Sequence, residues 1–149
     1  MSPLHVLFRV AAVDYAIPAA AVLQMESFTS ATRVPGTPSY VAGLVQIRGR
    51  VVPVVCLRAR FELPPATPSL DTRVVVVQQV AQQGTRVVGL LVDSAREVLK
   101  IDPQTFRPPP EILTEQSAGF VKAVAQVGSR LIMLIDQERV IGEGTLHGN

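Results

Sequence analysis

Residues 33–58 read Arg33-Val-Pro-Gly-Thr-Pro-Ser-Tyr-Val-Ala-Gly-Leu-Val-Gln-Ile-Arg-Gly-Arg-Val-Val-Pro-Val-Val-Cys-Leu-Arg58. Two apolar runs, Leu44–Ile47 and Val51–Leu57, flank the tripeptide Arg48-Gly49-Arg50. Glycine in so short a connection accepts a positive φ at little steric cost, so the stretch predicts a β-hairpin with two guanidinium groups at its tip. Gly49 reads as a requirement of that turn. Pro53 interrupts the second strand and argues for an edge position or a bulge, because proline donates nothing to a central ladder. Arginines mounted rigidly on such a tip suit the recognition of an acidic or polar partner surface.

Strand patterns extend in both directions from this hairpin. His5–Val10 and Tyr15–Ile17 flank a turn at Ala11–Asp14, Ala19–Leu23 has the length of one or two helical turns behind Pro18, and Gln24–Phe28 reads as extended. Towards the C-terminus, the proline-bearing stretch Glu62–Asp71 predicts an exposed loop. Arg73–Val80 and Thr85–Val92 predict a hairpin around Ala81–Gly84, and Glu97–Ile101 a further strand. Ser94-Ala-Arg-Glu97 matches a capping box by residue type, but the residues beyond it carry a strand pattern. Pro103–Ser117 is irregular, Phe120–Val127 and Arg130–Ile135 form a hairpin through Gly128-Ser129, and Asp136 caps a short helix near Gln137–Ile141.

The two halves repeat one order: hairpin, link, strand, proline-rich connector, hairpin. Gly43-Leu-Val-Gln-Ile and Gly119-Phe-Val-Lys-Ala align as the starts of the final hairpins. Each half supplies roughly five strands, enough for a small curled sheet or barrel but not for a generous core of its own. The expected fold is therefore mainly β. Two five-stranded barrels pack around a shared hydrophobic core within one domain over residues 1–149. The expected division falls at roughly 15–70 and 71–149, with the N-terminal strand a candidate for exchange.

Composition narrows the functions. The chain has 149 residues, 48% of them hydrophobic, and a net charge of +2. No apolar run reaches the roughly 18 residues of a membrane span, and no secretion signal is expected at the N-terminus. Cys56 is the single cysteine, which rules out an intrachain disulfide and fits a reducing compartment. Its apolar neighbours Val54 and Val55 predict burial as a small hydrophobe. His5 and His147 are the only histidines, so no shared metal site is expected, and no hydrolase, zinc-site or phosphate-loop motif occurs. Asp14, Asp71, Asp93, Asp102 and Asp136 fall at expected strand ends and turns, where aspartate bonds nearby backbone N–H groups. No enzyme and no cofactor is expected. A tandem of small barrels also suits nucleic-acid binding, but stacking platforms need aromatics. The five Phe and two Tyr do not interleave with the arginines.

The ordered set of motifs resembles a family. Thr32-Arg-Val-Pro35, Gly43-Leu-Val-Gln-Ile-Arg-Gly-Arg-Val-Val-Pro-Val-Val55, Gly89-Leu-Leu-Val-Asp93 and Leu131-Ile-Met-Leu-Ile-Asp136 together look like the CheW coupling proteins of bacterial chemosensory systems. The resemblance implies two five-stranded SH3-like subdomains. It also implies a non-enzymatic cytoplasmic adaptor recruited to membrane receptor arrays, with two partners: the cytoplasmic tip of a chemoreceptor and the regulatory domain of a CheA-type histidine kinase. The family's receptor-coupling arginine maps onto Arg48. The residues alone leave a second reading open, a turn arginine paired to a local acid such as Glu26. By resemblance Val22, Gln24 and Gly43 join the receptor-facing surface; Arg73 and Val74 begin the strand that would flank the groove, where a contact role and ordinary strand packing are both open. The family usually has glutamate at Gln24, aspartate at Cys56 and an uncharged residue at Arg50. Those departures suit a divergent copy, for which a pathway other than swimming chemotaxis is an open alternative.

Overall fold

The structure, a computed structural model, describes residues 3–82, 84–111 and 119–147. Its strands are β1 (Leu4–Val10), β2 (Val13–Pro18), β3 (Val22–Ser27), β4 (Val41–Ile47), β5 (Arg50–Cys56), β6 (Arg73–Ala81), β7 (Gly84–Val92), β8 (Ser94–Lys100), β9 (Phe106–Arg107), β10 (Val121–Val127) and β11 (Arg130–Ile135). Two helices come directly after strands: α1 (Leu57–Arg60) and α2 (Gln137–His147), the latter kinked at Gly142. Asp136 caps α2 as expected, its Oδ1 accepting from the Arg139 N–H at 3.2 Å. The expected helical turn is a 3₁₀ turn at Ala19–Ala21. Of the irregular Pro103–Ser117, residues 112–118 lie outside the described residues.

The strands form two sheets of matching topology. Sheet A runs β8-β1-β2-β11-β10-β9 and sheet B runs β3-β6-β7-β5-β4. The expected five strands hold for sheet B, while sheet A adds the two-residue β9. Sheet membership crosses the boundary drawn at residues 70 and 71. The whole hairpin β1–β2 lies in sheet A with β8, β10 and β11, and β6–β7 joins sheet B with β3, β4 and β5. Each sheet thus combines the third strand and last hairpin of one half with the first hairpin of the other. The registers fix the equivalence: Val54 opposes Gly89 in parallel across β5–β7, as Leu134 opposes Ala16 across β11–β2. Gly43 opposes Val54, and Ala123 opposes Leu134. Gly43 therefore matches Ala123, four positions from the expected Gly119.

Three clusters of apolar side chains result from this arrangement. The largest lies between the sheets and joins Phe8, Tyr15 and Ile17 to Val55, Leu57, Val75, Val77 and Leu90. Leu7, Ala16, Ile132 and Leu134 fill the curl of sheet A, and Val54, Val74 and Val76 fill that of sheet B. The valine run of β6 is uninterrupted because both faces are covered: Val75 and Val77 meet the shared core while Val74 and Val76 point into the curl. Burying each such side chain contributes roughly 1.5–3 kcal/mol.

Pro53 is a correction. β5 lies between β7 and β4 and is not an edge strand. In a two-residue hairpin closed by Ile47 and Arg50, the Leu44/Pro53 pair exchanges no backbone bonds, so the proline nitrogen faces β7, whose pairing begins only at Val54. Asp14 is also corrected. It sits inside β2, because the first turn is the tight Ala11-Ala12 pair with φ of 50° and 66°. Ser94–Lys100 is a strand, so the capping-box match is a coincidence of residue types.

The backbone passes between sheets at Pro18–Val22 and at Asp93. The Asp93 carboxylate receives Arg58 Nη2 at 2.6 Å, Arg58 Nε at 2.9 Å and the Ala11 N–H at 2.8 Å. The Arg58 hydrogen bonds hold its pKa below the usual carboxylate range against the opposing effect of burial. One carboxylate thus ties α1, the β1–β2 turn and the crossover together.

Candidate partner-binding site

The tip of the β4–β5 hairpin is the two-residue turn Arg48-Gly49, with φ of 50° and 78°. Both positions need the left-handed region that a primed hairpin turn demands. Glycine meets this freely, whereas arginine there carries roughly 1–2 kcal/mol of backbone strain. Ala11 and Ala12 share such backbone, so strain alone does not single out Arg48. What distinguishes it is its guanidinium: the side chain is 78% exposed, and its contact is a loose one, Nε to Glu26 Oε1 at 3.9 Å. Both readings of Arg48 thus have a counterpart, but the ion pair is worth little at that distance and exposure.

Sheet B curls enough to bring this tip against β3, at the opposite end of its strand order. A backbone bridge between Thr32 and Leu44, 2.8 and 2.9 Å, fastens the curl. Gly43 makes that bridge possible: a Cβ there would stand 2.3 Å from the Thr32 carbonyl oxygen, at φ 139°. It is a buried structural residue, not a contact.

Arg48 divides two shallow recesses. One, of about 380 Å³, is lined by Leu23, Gln24, Ile47, Arg50, Val52 and Val87 among others. The other lies along Glu26–Thr32. Gln24 Nε2 donates to Glu26 Oε1 at 2.6 Å, so Gln24, Glu26 and Arg48 form one polar row. Arg50 is exposed, and among the described residues its side chain has no hydrogen-bond or ion-pair partner.

The remaining expected residues fall elsewhere. Val22 is half-buried and packs on the shared core. Arg73 Nη1 donates to the Leu70 and Thr72 carbonyls at 2.7 and 2.8 Å, so it serves its own loop. Val74 is 1% exposed inside the curl and offers no contact. Leu23 and Met25, which the motifs do not single out, are 43% and 39% exposed on edge strand β3. The alternation Leu23-Gln24-Met25-Glu26 carries the signal with its sense inverted. Valines already fill the curl, so Gln24 and Glu26 are half-buried at the recesses while Leu23 and Met25 are exposed, Leu23 at the rim of one recess.

A larger cleft of about 730 Å³ runs between the sheets, lined by Cys56, Arg58, Asp71, Asp93, Glu97 and Arg130 among others. Cys56 is half-buried on its wall, not enclosed as expected. Arg58–Asp93 and Arg130–Glu97 are paired on its lining at 2.6 and 2.9 Å. Among the described residues no group of His, Cys, Asp and Glu converges in metal-binding geometry, and no helix is long and apolar enough to cross a membrane. Among the described residues Phe8, Tyr15 and Phe120 are buried and the other four aromatic rings are half-buried, an arrangement that does not favour base stacking.

Two intertwined β sheets with a cationic hairpin tip and paired cleft charges define an interaction module. Residues 4–144 match the CheW-like domain, and the chain belongs to that family. The chain is 33% identical over 135 residues to a protein named chemotaxis protein CheW from Rhizobium meliloti, covering 91% of this chain and 84% of that one. It is 31% identical over 138 residues to a probable chemotaxis protein CheW from Rhizobium etli, covering 93% and 86%. The crystal structure of the scaffolding protein TtCheW from Thermoanaerobacter tengcongensis superposes with a TM-score of 0.83 at 29% identity, covering 95% of this chain and 89% of that one. Its two SH3-like subdomains correspond to the two sheets here.

Proposed function

We propose that this chain is a non-enzymatic adaptor that couples the cytoplasmic tip of a chemoreceptor to the regulatory domain of a CheA-type histidine kinase. It would act in the cytoplasm, recruited to receptor arrays. The observation that carries the reading is Arg48: a strained turn holds its guanidinium out from the fold, at a recess lined in part by exposed Leu23. An apolar ledge beside a cationic fork is the composition of a protein-docking patch. The family relationship supports the partners, since the relatives are named for chemotaxis and the solved neighbour is titled a scaffolding protein. The mechanism is geometric. Holding receptor and kinase in fixed relation lets a small shift of receptor helices bias the kinase between two states.

The test is Arg48→Glu, scored by co-sedimentation with chemoreceptor-bearing membranes and by capture on the immobilised kinase regulatory domain. Co-sedimentation is lost while kinase capture persists. Unchanged co-sedimentation removes Arg48 from the receptor surface.

A further inference from the structure

Apart from β9 the two sheets share one topology, so positions on the other five strands of sheet A have counterparts in sheet B. The registers place Arg130 opposite Val127 and Arg50 opposite Ile47, each closing its last hairpin. Glu97 opposes Leu7 on β8–β1, and Gln24 opposes Val76 on β3–β6. Leu7 in turn opposes Ala16, as Val76 opposes Gly89. Two residues back from Ala16 and from Gly89 stand Asp14 and Val87. The mouth of sheet A therefore holds Arg130, Glu97 and Asp14, where the mouth of sheet B holds Arg50, Gln24 and Val87.

In sheet A this set closes on itself. Arg130 Nη1 meets Glu97 Oε2 at 2.9 Å and Nη2 meets Asp14 Oδ2 at 3.2 Å, while Arg9 Nε binds Asp14 Oδ1 at 2.9 Å. In sheet B the arginine remains and both carboxylates are gone, replaced by an amide and an isopropyl group. Arg50 stands at a recess whose lining carries no carboxylate, with exposed Leu23 on the rim.

We infer that the mouth of sheet B takes an acidic side chain from the partner protein, which meets Arg50 and rebuilds between molecules the ion cluster that sheet A makes within one. The occupant is a glutamate or aspartate followed by an apolar residue that covers Leu23. Charge complementarity argues for it: Arg48 and Arg50 both line the recess, and Glu26, the nearby acid, lies on the other side of Arg48 and already accepts from Gln24. This assigns Arg50 a specificity role and rests on the reading of this face as the receptor dock.

The test transplants the twin's carboxylate. Gln24→Glu places the counterpart of Glu97 beside Arg50, where it competes with the partner's acid. Membrane vesicles carrying the source organism's chemoreceptors are titrated with the wild type, Arg50→Ala, Gln24→Glu and Arg48→Glu, each first shown by thermal melting to fold. Arg50→Ala and Gln24→Glu each weaken binding about tenfold, as expected for a charge pair at a docking rim. Wild-type affinity in both, with Arg48→Glu still defective, overturns the carboxylate assignment and leaves the coupling reading standing. Wild-type affinity in all three overturns both. Loss with Arg50→Ala but not with Arg48→Glu upholds the carboxylate assignment and moves the dock's centre to Arg50.

Discussion

The hairpins β4–β5 and β10–β11 are the same device built twice, and they differ at the tip. In β10–β11 the first turn residue is Gly128 and the closing arginine, Arg130, is bound to two carboxylates, Asp14 on the adjacent β2 and Glu97 on β8 at the far end of the sheet. In β4–β5 the first turn residue is a strained arginine and the closing arginine has no partner among the described residues. The first tip serves stability; the second leaves its charges available. An internal repeat thus supplies its own control, and what one copy lacks relative to the other marks where a binding partner has room to act.

The comparison breaks most readily at Arg130. Arg130→Ala leaves Asp14 and Glu97 without their shared cation and costs about 1–2 kcal/mol, discounted for its partial exposure, whereas Arg50→Ala changes stability by less than about 0.5 kcal/mol. Urea unfolding of both variants checks this, and equal losses would erase the contrast. The same pair differs in acid. Burial pulls the Asp14 pKa upward, but hydrogen bonds from Arg9 and Arg130 together hold it below its usual value. A carboxyl held down by folding stabilises the protein above its ordinary pKa, near 3.9, and withdraws that contribution as pH falls through the lowered value. Arg130→Ala therefore flattens the loss of stability below about pH 4, and Arg50→Ala leaves it unchanged.

A smaller effect sharpens the contrast at the turn. Arg48→Gly gives the first hairpin the residue type that Gly128 gives the second, and raises stability by up to about 1 kcal/mol by relieving left-handed backbone. The thermal midpoint rises while receptor co-sedimentation falls. The smallest effect is at Glu26. Glu26→Gln removes an exposed contact of 3.9 Å and costs under about 0.5 kcal/mol by the same urea assay. A larger loss would make Arg48 a structural residue.

The local devices are legible in the sequence. Alternating apolar residues around Arg48-Gly49 specify the hairpin, Asp136 marks the helix start, and the repeated order of strands implies two sheets. Partner choice is not legible, because the pairings β5–β7 and β11–β2 are long-range and parallel and no turn residue specifies them. Nor can burial be assigned along Arg73–Val80, where a strand covered on both faces shows no alternation; of the two roles open for Val74, partner contact and strand packing, the structure shows packing. Gly43 resembles part of a receptor surface because its structural reason, the nearby Thr32 carbonyl, comes from a separate segment of the chain. Leu23 joins the site only through the curl of sheet B, which also brings Glu26, the acid expected beside Arg48, to the tip.

The crossover at Asp93 is a single residue, and the one at Pro18–Val22 is barely longer. Connectors so short leave no slack for a hinge, and the Arg58 clamp removes the torsional freedom that a lone residue would keep. The molecule is a stiff bracket. An angular displacement applied at one sheet is expected to pass to the other with little absorbed between them.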